Sequence, residues 1–132
     1  MDMEEIEWVV AEEASDTGGE GLLACARAKG IAKRLGVAPK EVGDAADRLG
    51  MRIVDCQLGC FGSKKATHED LDSVQVPKAL ADAILASLVD GQLFCAAAFE
   101  VARKVKATPK QVGDAATKLH VRISKCQLGC FP

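Results

Sequence analysis

The stretch IAKRLGVAPKEVGDAADRLGMRI at 31–53 returns, position for position, as VARKVKATPKQVGDAATKLHVRI at 101–123. Just ahead of it, Ala24/Phe94 and Ala28/Ala98 begin an apolar stripe. Ile31/Val101, Ala32/Ala102 and Leu35/Val105 continue it at steps of three and four, the period of a helix buried along one face. The stripe stops at Leu35-Gly36-Val37 and at Val105-Lys106-Ala107. Pro39 and Pro109 suit the first position of a new helix, whose apolar face is Val42, Ala45, Ala46 and Leu49, matched by Val112, Ala115, Ala116 and Leu119. From Met51 and Val121 the period changes to two, with Met51 and Ile53 alternating against Arg52 and Val54, and Val121 and Ile123 against Arg122 and Ser124, which predicts a strand.

The correspondence extends on both sides. Residues 21–62 and 91–132 align without a gap at an offset of 70, with 22 identities in 42 positions, so the chain is one module used twice. With residues 17–20 taken as an insertion, Ile6 pairs with Leu80 and Val10 with Ile84, and each copy opens on a helix, about 3–15 and about 77–89. Both copies close on CQLGCF, at 56–61 and 126–131. Gln57-Leu58-Gly59 reads as a three-residue loop of a hairpin that returns through Cys60 and Phe61, setting Cys60 opposite Cys56 on the face away from the core. The polar run SKKATHEDLDSVQV at 63–76 reads as a linker. The expected fold class is mainly α with small β-hairpins: two modules of three helices plus a hairpin, 1–62 and 77–132. They are expected to pack as a pseudo-dimer, since a unit of about 65 residues is near the lower limit for folding alone.

Two local details separate or unite the copies. Thr108-Pro109-Lys110-Gln111 reads as a capping box, whereas Ala38 at the equivalent place has no side-chain acceptor, a loss of about 1 kcal/mol. Gly43-Asp44 and Gly113-Asp114 are shared inside the third helices. A mid-helix glycine costs about 1 kcal/mol relative to alanine, so its presence in both copies predicts close packing against another helix.

The net charge of −2 hides an uneven distribution. Residues 1–20 hold eight acids and no base, so the remaining 112 residues carry 17 bases against 11 acids. No apolar run approaches a membrane span, and MDMEEIEWVV lacks the basic start of a signal peptide. The expectation is a cytoplasmic protein with no membrane partner, in which six cysteines stay thiols, ligate metal or switch redox state.

The order helix, LGV-type turn, helix, strand, carried by 31–53 and 101–123, resembles the winged helix-turn-helix superfamily, with CQLGCF as the wing and Gly21-Leu22-Leu23 as the first strand. The resemblance implies a DNA-binding transcriptional regulator whose third helix enters the major groove while the wing touches phosphate. The DNA-contact candidates are Lys33, Arg34, Lys40 and Arg52 in the first copy, and Arg103, Lys104, Lys110, Lys118 and Arg122 in the second. The third helices are not strongly basic: Lys40, Glu41, Asp44, Asp47 and Arg48 face solvent in one, and Lys110, Gln111, Asp114, Thr117 and Lys118 in the other. With no tyrosine and scattered aromatics there is no stacking platform for single strands, so any nucleic-acid partner is expected to be duplex DNA.

Cys25, Cys56 and Cys60, with Cys95, Cys126 and Cys130, are the metal or redox candidates. Three thiols per copy suit zinc or an iron–sulfur cluster with a fourth ligand, but neither His68 nor His120 is repeated; a dithiol pair needs fewer partners, and burial as small apolar residues needs none. The alternative to a DNA-binding regulator is a protein-interaction module of the same fold with structural cysteines, its acidic first helix recruiting a basic protein partner. An enzyme is not expected, because paired carboxylates, a repeated histidine and a phosphate-binding glycine loop are missing from the sequence.

Overall fold

The computed structural model describes residues 1–14, 21–60 and 68–132. These are mainly helical with small strands: α1 (Met3–Ala14), β1 (Leu22–Ala24), α2 (Cys25–Leu35), α3 (Pro39–Arg48), β2 (Arg52–Val54), α4 (His68–Ser73), α5 (Lys78–Ala86), β3 (Gln92–Phe94), α6 (Cys95–Val105), α7 (Pro109–Lys118) and β4 (Arg122–Ser124). The residues form two compact units, Met1–Cys56 with Gln127–Cys130, and Gln57–Cys126 with Phe131–Pro132. The element order helix, strand, helix, helix, strand occurs in each. The second unit also contains α4, inside the stretch expected to be a linker. The predicted insertion at 17–20 and the return through Phe61 lie outside the described residues.

In the first unit the core is Ile6 and Val10 of α1, Leu23 of β1, Ala28, Ile31 and Ala32 of α2, and Val42, Ala45 and Ala46 of α3. α2 ends where its stripe ends: Gly36 turns left-handed at φ 70°, and the Val37 N–H reaches back to the Ala32 carbonyl at 3.0 Å, satisfying the helix end. In the second unit Leu80, Ile84, Leu93, Ala98, Val101, Ala102, Val112, Ala115 and Ala116 repeat that core. Its helix α5 is shorter than the expected 77–89, and Pro77 caps it instead of opening it. Asp90 and Gly91, both at positive φ, make a tight turn that joins Val89 to Gln92 in an antiparallel bridge; an Asp-Gly pair favours that turn and pulls the chain out of the helix.

The hairpins are the main correction. β1 pairs with β2 in parallel, Leu23 opposite Ile53, and β3 pairs with β4 in parallel, Leu93 opposite Ile123. After β4 the chain forms no returning strand; one backbone bond, Cys126 N–H to Phe131 O at 3.2 Å, closes a turn. After β2, residues 55–60 are likewise turn and irregular structure. The cause lies one residue past each strand, where Asp55 and Lys125 take φ 53° and 55° and break the extended run. Alternation therefore does not carry to Cys56, which is buried rather than on the outer face.

These loops end on glycines of the third helices. In the first unit a Cβ added at Gly43 would overlap the Leu128 carbonyl oxygen and stand 2.9 Å from its carbon. In the second, a Cβ at Gly113 would overlap the Leu58 oxygen and stand 2.6 Å from its carbon. Leu128 and Leu58 are themselves buried. The close packing at these glycines is against a loop backbone from the other copy of the repeat, not against the helix that was expected.

Candidate nucleic-acid interface and thiol positions

The candidate bases lie on three parts of each repeat: the last turn of α2 or α6, the third helix, and the second strand. A helix's last turn attracts cations through the exposed carbonyl ends of the helix. In the first unit this turn also meets acid, since Arg34 pairs with Glu13 of α1 and Arg27 reaches the same carboxylate at 3.4 Å. The Arg34 guanidinium, hydrogen-bonded to Glu13, holds that carboxyl below the usual carboxylate value, against a smaller opposing effect of burial. In the second unit Arg103 pairs with Glu100 one turn earlier.

The third helices neutralise themselves. Lys40 pairs with Asp44, and that bond raises the lysine's pKa; the Lys40 stem also passes the seated loop, where a Cβ on Gly129 would lie 3.0 Å from Lys40 Cδ. Lys110 contacts both oxygens of Asp114, at 2.6 and 2.7 Å. Arg48 donates to Glu7 at 2.6 Å, and Lys118 donates to the carbonyls of Leu71, at 3.1 Å, and Val74. Pairs of this kind near the surface contribute little stability, but they lower the positive potential along the third helices.

What remains is a smaller set. Lys33, Arg52, Lys104 and Arg122 are exposed and form no ion pair among the described residues. Arg52 and Arg122 are equivalent positions, opposite Leu22 and Gln92 in the two parallel pairs. No family profile, curated protein or solved structure matches this chain significantly. Its function is therefore read from its own residues.

The thiols are distributed across the exchange. Cys25 and Cys95 are buried at the first positions of α2 and α6, directly after β1 and β3. The first unit holds Cys25, Cys56 and Cys130, and the second holds Cys60, Cys95 and Cys126. Cys56 is buried, Cys60 and Cys126 are half-buried, and Cys130 is exposed; all six are thiols. Among the described residues no three His, Cys, Asp or Glu side chains are grouped to hold a metal ion.

Two features went unread in the sequence. Glu7 and Glu13, which look like members of a solvated acidic helix, are the partners of Arg48 and Arg34; only the packing of α1 against α2 and α3 brings them together. A groove of about 400 Å³ in the second unit, lined by Pro77, Leu80, Val105, Ala107, Gln111 and Asp114 among others, gathers residues from three separate segments and leaves no local motif.

Proposed function

We propose that the protein binds duplex DNA through two helix-turn-helix modules. The supporting observation is the matched pair Arg52 and Arg122: the same exposed guanidinium, with no ion pair among the described residues, stands at the same strand register beside a helix, left-handed turn and helix in both units. Lys33 and Lys104 are further phosphate contacts, and the third helices, nearly neutral, contribute base readout more than affinity. The test is binding to mixed-sequence duplex over a salt series, in reductant. The paired change Arg52→Ala/Arg122→Ala should weaken binding and reduce the steepness of log K against log salt by about 2, one per lost phosphate contact. No binding at low salt would reject the reading.

A second reading, a protein-interaction module, is favoured by α1. Trp8 is 64% exposed and Met1 58%, and both border a shallow depression with Glu4 and Glu5. Trp8→Ala that leaves DNA affinity intact but abolishes recovery of a purified basic partner would support it.

A further inference from the structure

Each third helix carries a seat for a loop, and the loop it holds comes from the other copy of the repeat: Leu128 over Gly43, and Leu58 over Gly113. The contact is backbone against backbone. A carbonyl oxygen lies where any side chain would begin, so the seat exists only because the helix residue is glycine, and the oxygen faces a Cα–H as a weak hydrogen-bond acceptor. The seats are identical in sequence, Val-Gly-Asp-Ala-Ala at 42–46 and 112–116, and so are the loops, Cys-Gln-Leu-Gly-Cys at 56–60 and 126–130. Backbone recognition between identical partners carries no information about which repeat, or which molecule, supplies the loop.

We propose that the glycine seats of α3 and α7 accept the Gln-Leu-Gly-Cys loop of a second copy of this chain, so that two chains associate by the same exchange that closes one. Within a chain the tether keeps the loop at high effective concentration. A second chain competes when chains fold together at high concentration, the condition under which an identical element is swapped between protomers.

Full-length Leu128→Asp/Gly113→Val keeps one seat, Gly43, and one loop, at Leu58, both from the first repeat. Light scattering after size exclusion should show this variant self-associating about tenfold or more strongly than the unaltered chain, and a third change, Gly43→Val, should abolish the gain. A helical, folded double variant that associates no better than the unaltered chain overturns the proposal. The unaltered chain gives a readout that does not depend on variants folding. Two differently tagged populations, unfolded and refolded together, should yield mixed-tag species in rising proportion with concentration, and none at any concentration also overturns it.

Discussion

At the entry to the third helix, Thr108 accepts the Gln111 N–H at 3.1 Å and its own N–H donates to Gln111 Oε1 at 2.9 Å. Ala38 keeps only the second half, its N–H donating to Glu41 Oε2 at 3.0 Å. One turn earlier the advantage reverses. Gly36 takes the left-handed turn that ends α2 at no steric cost, whereas Lys106 takes it at φ 58° with a side chain. After the third helix the first repeat again has glycine, Gly50, where the second has His120 at φ 60°. On the second strand Ser124 is buried with its hydroxyl unpartnered among the described residues, where the first repeat has half-buried Val54. The duplicated core and the glycine seats stayed fixed while the caps and turns drifted in opposite directions. The packing is therefore what both repeats require, and the local terms of about 1 kcal/mol are exchangeable.

The largest effect should come from breaking what the repeats share. Gly43→Ala and Gly113→Ala each add a methyl group against a backbone carbonyl, and overpacking of this kind costs about 1–3 kcal/mol or more. The tighter site, Gly113, should lose more in urea unfolding. Gly30→Ala is the control, because α2 leaves its Cβ position open within 4 Å; it should gain about 1 kcal/mol, the ordinary benefit of alanine over glycine in a helix. Destabilisation by all three would remove the distinction on which the seats rest.

Next in size is Ser124→Ala, which removes a buried, unpartnered hydroxyl and should raise stability by about 1–2 kcal/mol in the same assay. Lys106→Gly should gain about 1 kcal/mol by relieving the left-handed turn, whereas Gly36→Lys should lose a similar amount. Ala38→Thr should add about 1 kcal/mol by completing the first repeat's cap, and Thr108→Ala should subtract it. Equal response of both repeats to either exchange would erase the contrast.

The smallest effect is electrostatic. The pKa of Glu13 is lowered by Arg34 and Arg27, so its contribution to stability is present above the unfolded-state value, near 4.5, and is lost as pH falls through the lower folded value. Comparing Glu13→Gln with the unaltered chain should show a deficit of about a few tenths of a kcal/mol at neutral pH, vanishing in acid and in high salt.

The helices were legible because period and punctuation agree: the stripe through Ile31 and Leu35, the proline at each third-helix start, and the Thr108 cap all act within a few residues. The parallel sense of the β1–β2 pairing was not, since alternation shows that a strand exists but not the direction in which it pairs. CQLGC was misread as a local hairpin because a loop's long-range seat leaves no mark in the loop itself; the mark was on the other side, in the unfavourable glycines at 43 and 113. α4 escaped notice because HEDLDS carries no apolar period and is steadied from outside by Lys118. The candidate bases could be named from sequence, but the pairing of Arg34 with Glu13 depended on where α1 packs.

The exchange of loops is most directly tested by nuclear Overhauser contacts to the α-protons of Gly43 in the full chain. The account predicts cross-peaks from Gly43 to the backbone of Leu128, with Gly113 correspondingly showing Leu58. Cross-peaks from Gly43 to Leu58 and from Gly113 to Leu128 instead would mean that each loop folds back on its own repeat, and would contradict it.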